Sequence, residues 1–165
     1  MMVGSETVVD RYQSLMNAGV PIPPFIETLT GIGNRMARQA PDAARVRIEF
    51  AEFVGEIPLV AHNASFDAKF LQAELQRVGR PQSSKMLCSM RLARRIYPNA
   101  PNHQLATLVR HARVAETGAY HRAMADAEMT AGLWLKMRPE LKATFRLESV
   151  PLDLLQLIQS APCQG

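Results

Sequence analysis

Residues 58–67 read Pro58-Leu59-Val60-Ala61-His62-Asn63-Ala64-Ser65-Phe66-Asp67, a short apolar run that leads into polar and capping residues. The apolar part has the length of a strand, and the spacing of Phe66, Phe70 and Leu75 predicts a helix over 66–78. Functional groups collect where the strands of α/β sheets end. Asp67 would lie in the first helical turn, where the helix dipole favours the ionised carboxylate that a divalent cation needs. The stretch predicts a candidate site at Asp67, and the alternative is a carboxylate that only neutralises a helix start.

A second candidate motif, His121-Arg122-Ala123-Met124-Ala125-Asp126-Ala127, opens the last long helix, which is predicted over 122–138 and ended by Pro139. Five residues of helix would rotate His121 and Asp126 about 140° apart, so the two can act together only if His121 lies in the preceding loop. Histidine exchanges its proton near neutral pH and is the natural general base. The alanines around Asp126 indicate a close-packed face. A surface histidine with a solvated aspartate is the alternative interpretation.

The remaining pattern alternates strands with helices. It predicts a strand over 7–16, a short helix over 24–29, a helix opened by Asp42 and closed by Gly55, strands over 57–61 and 85–90, and helices over 89–96 and 105–112. This interleaving is typical of an α/β fold. An apolar patch over 152–158 predicts a short helix that docks on a partner or, more simply, on its own domain.

Length and composition narrow the class of protein. A chain of 165 residues fits one compact domain, and no apolar run is long enough to span a membrane. No signal peptide is readable at the start, so we expect a soluble, cytoplasmic protein. The two cysteines, Cys88 and Cys163, disfavour a disulfide scaffold and a Cys-rich zinc site. The four histidines lack the paired spacing of a zinc hydrolase, which is therefore also disfavoured.

Basic residues are concentrated in one segment, 75–115, which contains no Asp or Glu. Its eight basic residues are Arg77, Arg80, Lys85, Arg91, Arg94, Arg95, Arg110 and Arg113. Such a segment suits a partner that carries phosphates, because each bound cation releases a condensed counterion. The simpler interpretation is a solvated basic face.

Together and in this order, the two motifs resemble the DEDDh family of 3′–5′ exonucleases, which includes the proofreading epsilon subunits of bacterial DNA polymerase III. The resemblance extends over about residues 6–136. It also includes Pro21-Ile22-Pro23-Pro24, Leu29-Thr30-Gly31-Ile32 and Arg91-Leu92-Ala93-Arg94. It implies an α/β, ribonuclease H-like fold with a mixed sheet flanked by helices, and hydrolysis of the 3′ ends of DNA or RNA.

The resemblance also implies roles for individual residues. Two divalent cations, Mg²⁺ or Mn²⁺, would be held in part by Asp67 and Asp126, and His121 would be the general base. Asn63 and Phe66 match positions near the terminal nucleotide. Thr30, Gly31 and Ile32 resemble a loop that packs against the 3′ end of the substrate. A DNA polymerase is a candidate partner.

One family feature is missing, the Asp-x-Glu motif of the opening strand. Gly4 stands where Asp would have to precede Glu6, and the segment 7–16 already matches the family's third strand. We therefore expect an exonuclease domain over 1–139 without its first two strands, followed by a C-terminal extension over 140–165. Two-metal catalysis should be impaired, and exposed strand edges and an uncovered apolar face favour self-association.

Two explanations of the missing motif are consistent with the sequence. The chain is a truncated product, or it is a degenerate relative that binds nucleic acid or a polymerase without cutting. Truncation is favoured because Asp67, His121 and Asp126 are all intact.

Overall fold

The structure is a computed structural model that describes residues 1–82, 86–115 and 123–161. Over these residues, short strands alternate with helices, and the predicted α/β class is confirmed. The strands are β1 (Met2–Val3), β2 (Val8–Asp10), β3 (Val60–Ala61) and β4 (Leu87–Cys88). The helices are α1 (Pro24–Thr30), α2 (Asn34–Gln39), α3 (Ala43–Val54), α4 (Ser65–Gln76), α5 (Ser89–Ile96), α6 (Leu105–His111), α7 (Ala123–Phe145) and α8 (Leu152–Ser160).

The strands pair in two separate two-stranded sheets. β1 and β2 are antiparallel, whereas β3 and β4 are parallel, with Val60 opposite Leu87 and Ala61 opposite Cys88. One mixed sheet was the expectation, and within the described residues each sheet stops at two strands. Parallel pairing of β3 and β4 has a direct consequence for function, because the carboxyl ends of both strands lie at the same edge.

The predicted strand over 7–16 is shorter in the structure, since β2 ends at Asp10. Beyond β2 the chain packs on α3. The Tyr12 hydroxyl donates to the Val46 carbonyl at 3.3 Å, and the Tyr12 ring lies 5.6 Å from that of Phe53. Side-chain packing on a helix thus replaces strand pairing in this segment.

Local capping signals placed several helices correctly. Asp42 is the N-cap of α3, and its carboxylate accepts from the Ala44 N–H at 2.8 Å. Gly31 ends α1 and Gly55 ends α3, both with positive φ, which glycine adopts without strain. α5 begins and ends where the sequence predicted.

The predicted end of the last long helix at Pro139 is wrong, because α7 continues through Pro139 to Phe145. A proline inside a helix removes one backbone hydrogen bond and crowds the preceding turn. Met137 and Leu141, on either side of Pro139, are each only 1% exposed in the core. Burial of these two side chains outweighs the local preference of proline.

The core lies between β4 and the helices α5 to α8. Its buried members are Leu87, Leu92, Ala93, Tyr97, Leu108, Leu133, Met137, Leu141 and Leu155. Leu155 comes from α8, and the Gln159 side chain of α8 accepts the Cys88 N–H of β4 at 2.8 Å. The apolar patch over 152–158 therefore packs on its own domain. None of the described helices has the length and apolarity needed to cross a membrane.

Candidate active site at the end of a parallel strand pair

The turn after β3 is fixed to α5 by the side chain of His62. Its Nδ1 lies 3.0 Å from the Ser89 hydroxyl oxygen, and its Nε2 lies 2.9 Å from the His103 carbonyl oxygen. Ser89 is fully buried at the start of α5, and His103 lies in the loop before α6. One imidazole thus connects the strand end, the start of α5 and the loop that leads to α6.

The hydrogen-bond partners of His62 define its neutral tautomer. A carbonyl can only accept, so Nε2 carries the hydrogen that is donated to His103. In the neutral ring, Nδ1 then accepts from the Ser89 hydroxyl. Ser89 also lies 3.3 Å from the Ala61 carbonyl, to which it can donate when His62 is protonated. The network has partners in both protonation states.

Burial lowers the pKa of His62 below its ordinary value. The hydrogen bond to the His103 carbonyl and the negative charge of Asp67 act in the opposite direction and are smaller. The ring is therefore neutral at pH 7. It is suited to holding the turn in position rather than to supplying a positive charge.

The next residues present polar and aromatic groups at the surface. Asn63 has a φ of 63°, a left-handed conformation that asparagine tolerates better than most residues. Phe66 is 74% exposed, and Asp67 is exposed in the first turn of α4. No side chain caps the N-terminus of α4, and among the described residues Asp67 forms no ion pair. The Asp67 carboxylate is thus available to a ligand.

The predicted loop of Thr30, Gly31 and Ile32 is held by one hydroxyl. The Thr30 hydroxyl donates to the Ile26 carbonyl at 2.8 Å and accepts from the Ile32 N–H at 3.2 Å. Gly31, with a φ of 68°, reverses the chain between them. The loop has a defined shape, as a surface that packs against a ligand requires.

Asp126 lies in the first turn of α7 and is half-buried. Its neighbours Ala125 and Met129 are buried against Val109 of α6. Of the three alanines from which a close-packed face was predicted, Ala131 is buried, Ala127 is half-buried and Ala123 is exposed, so the prediction holds only in part. Glu128, two residues beyond Asp126 along α7, lies 3.4 Å from the Arg11 guanidinium. His121, the predicted general base, is outside the described residues.

The chemistry of the donors fits a divalent cation only in part. Asp67 and Asp126 each offer hard oxygen ligands, but two divalent ions need more negative charge than two carboxylates carry. Within residues 1–82, 86–115 and 123–161, no three His, Cys, Asp or Glu side chains converge on a metal site. The described residues do not by themselves form a two-ion centre.

Sequence reasoning missed the partners of His62. Ser89 and His103 are 27 and 41 residues away along the chain, beyond the reach of any local pattern. One signal was present. Ser89 is a small polar residue at a strand–helix junction between apolar neighbours, where a buried hydroxyl needs a partner.

Comparison with known proteins identifies the family of this chain. The family model described as "Exonuclease" matches residues 1–134. The PolC-type DNA polymerase III of Caldanaerobacter subterraneus subsp. tengcongensis is 34% identical over 140 residues, which are 85% of this chain and 10% of that protein. The epsilon subunit of DNA polymerase III of Aquifex aeolicus is 33% identical over 135 residues, 81% of this chain and 66% of that protein. This chain spans about a tenth of the length of the PolC-type polymerases that it matches.

The fold has a counterpart among solved structures. Exonuclease X in complex with 5′ overhanging duplex DNA superposes with a TM-score of 0.72 at 24% identity, covering 96% of this chain and 87% of that one. This likeness concerns the fold alone and agrees with the ribonuclease H-like architecture. Since the family model covers both candidate motifs and most of the chain, the protein belongs to the DEDDh-like exonuclease family.

Proposed function

We propose that this chain is a 3′–5′ exonuclease domain that hydrolyses the terminal phosphodiester of a nucleic-acid strand. The observation that carries the proposal is Asp67, exposed and without an ion pair among the described residues, in the helical turn after β3 of an exonuclease-family chain. DNA and RNA remain alternative substrates. Exonuclease X, whose fold is similar, was solved in complex with DNA, which makes DNA the first substrate to test.

The proposed roles follow the chemistry of the side chains. Asp67 and Asp126 are proposed ligands of divalent cations, Mg²⁺ or Mn²⁺, which activate water and stabilise the leaving oxygen when bound. His121 is the proposed general base that accepts the proton of the attacking water.

Two further groups of residues are proposed to receive the substrate. Asn63 and Phe66 would contact the terminal nucleotide, for which the 74% exposed Phe66 ring offers a stacking surface. Thr30, Gly31 and Ile32 would pack against the 3′ end, which the fixed shape of their loop supports.

We expect this chain to hydrolyse nucleic acid slowly. The Asp-x-Glu motif of the opening strand is missing, and the described residues contain no cluster of three metal-binding groups. The same observation favours a second candidate function, a catalytically silent module that binds nucleic acid or a polymerase. The two functions differ in one measurable property, which is the turnover of a bound strand.

Wider assignments are proposals on the same basis. Relatives that are DNA polymerase III proteins support a polymerase as a partner. Self-association is supported by the outer edges of the two small sheets, which pair with no further strand in the described part of the chain. We retain the division into an exonuclease domain over 1–139 and an extension over 140–165. A cytoplasmic location also remains a prediction.

Substitution of the two aspartates tests the proposal. Incubation of excess protein with a single-stranded DNA or RNA 20-mer and Mn²⁺ should give slow loss of the strand. Asp67→Asn and Asp126→Asn should each reduce this rate at least 100-fold, about the loss expected for removal of a group that stabilises the transition state. Chelation with EDTA should do the same.

The matched control is Asp153→Asn, which removes one exposed carboxylate from the first turn of α8. Its rate should equal that of the wild type. A rate that Asp126→Asn leaves unchanged would contradict the proposed site. Binding of the strand with no turnover at all would favour the silent module.

A further inference from the structure

Helix α5 carries three arginines on its surface, Arg91, Arg94 and Arg95. In an α-helix, residues three and four apart lie on the same side. Arg91, Arg94 and Arg95 therefore form one row, which we call the α5 ridge. The segment 75–115 around it contains no acidic residue. The positive charge of the ridge is thus not neutralised from within this segment.

The ridge begins at the same sheet edge as the candidate site. β3 and β4 are parallel and end side by side, and His62 after β3 contacts Ser89 at the start of α5. Arg91 follows Ser89 by two residues, about 3 Å along the helix axis, and Arg94 follows Arg91 by about 4.5 Å more. A strand that leaves the site along α5 would meet Arg91 first and Arg94 next.

The position of Arg91 is not explained by helix stability. A cation in the first turn of a helix is opposed by the helix dipole, whereas cations in the last turn, such as Arg94, are favoured. Arg91 and Arg94 are both exposed, and neither forms an ion pair in the part of the chain that the structure describes. A ligand outside the chain would account for a cation at this position.

Arg95 has a different role in the same row. Its guanidinium donates to the Arg91 carbonyl at 3.0 Å and to the Ala161 carbonyl after α8. Arg95 thus holds α8 and the helix backbone together. This anchoring leaves Arg91 and Arg94 as the two positions that can receive phosphates.

We propose that Arg91 and Arg94 bind the phosphate backbone of the nucleic-acid strand whose 3′ end lies at the candidate site. The proposal rests on the proposed function and adds the path of the strand away from the scissile bond. Arginine suits this role because its planar guanidinium donates two hydrogen bonds to one phosphate. A ridge of this kind contributes only to strands long enough to reach it.

Binding without hydrolysis tests the ridge. The affinity of 5′-fluorescent single-stranded DNA of three and twelve nucleotides is measured by anisotropy in EDTA, over a range of salt concentrations. Arg91→Gln/Arg94→Gln should weaken binding of the 12-mer about tenfold. It should also make the negative slope of log K, the association constant, against log salt shallower by about 1.4, which corresponds to two lost phosphate contacts on a single strand. Binding of the trimer should stay within twofold.

The control is Lys136→Gln/Lys142→Gln, which removes two positive charges from exposed positions in the second half of α7. Thermal unfolding confirms that both double variants are folded. If both weaken the 12-mer equally, the effect is one of net charge and the ridge is overturned. Equal weakening of trimer and 12-mer by the ridge variant also overturns it. A wild type that binds neither strand would overturn the proposed function together with the ridge.

Discussion

At the scale of single residues, the candidate site depends on His62. Its ring holds the end of β3 against Ser89 at 3.0 Å and against the His103 carbonyl at 2.9 Å. Asn63 to Asp67 follow directly, so the position of Asp67, the proposed metal ligand, is set by a residue that has no proposed part in the reaction. A site of this kind needs fixed supporting contacts as much as it needs reactive groups.

The lowered pKa of His62 predicts how stability depends on pH. In the unfolded chain His62 has its ordinary pKa near 6.5, whereas burial lowers the pKa in the folded state. As pH falls below about 6.5, the unfolded chain takes up the proton first, so the free energy of unfolding decreases. Above that range the contribution is fully present. Urea unfolding between pH 5 and 8 measures this loss.

His62→Gln is the comparison for that measurement. Glutamine keeps a donor for the His103 carbonyl but does not titrate. The variant should therefore lose the part of the pH dependence that His62 supplies. Identical curves for the wild type and His62→Gln, apart from a constant offset, would show that His62 is not the titrating group.

At the scale of elements, α7 gives the sharpest test because it contains a proline that local rules place at a helix end. If α7 is continuous through Pro139, the proline costs stability. Pro139→Ala should then raise the free energy of unfolding by about 1–2 kcal/mol, the helix penalty of about 3 kcal/mol reduced by the greater freedom of the unfolded chain. Denaturant unfolding measures the change.

Pro151→Ala provides the matched control for α7. Pro151 is the N-cap residue of α8, where a proline does not destabilise the helix. Its replacement should leave stability unchanged or lower it by up to about 1 kcal/mol. A similar result for Pro139→Ala would contradict a continuous α7.

The same contrast explains how much of the structure was predictable. α3 follows from Asp42 and Gly55, and the end of α1 follows from Gly31, because capping is decided by neighbouring residues. The course of α7 through Pro139 is decided by burial of Met137 and Leu141 in a core built by distant elements. The strand predicted over 7–16 ends at Asp10 for the same reason, because the contact of Tyr12 with α3 joins segments that are distant in sequence.

Prediction of the candidate site divides in the same way. Asp67 could be placed at a helix start because the strand, turn and helix are contiguous in residues 58–76. The Ser89 and His103 contacts join segments far apart in sequence and could not be read from a local pattern. The positive φ of Asn63 is likewise a product of the assembled turn.

At the scale of the whole molecule, the arginines of α5 and the most exposed phenylalanines lie on different helices. The basic segment includes α5, and large apolar side chains are exposed on α1 and α4, with Phe25 at 69% and Phe70 at 54%. The sequence predicts an uncovered apolar face as the consequence of two missing strands. The exposure of these side chains is observed, and its cause stays a prediction. Self-association or a partner would bury such a face.

The direction of digestion tests the central claim, that this chain removes nucleotides from 3′ ends. A single-stranded 20-mer labelled at its 5′ end, with excess protein and Mn²⁺, should give a slow ladder of successively shorter labelled strands. The same strand labelled at its 3′ end should release labelled mononucleotide first. A ladder from the 3′-labelled strand, internal cleavage, or no shortening of either strand would contradict the claim.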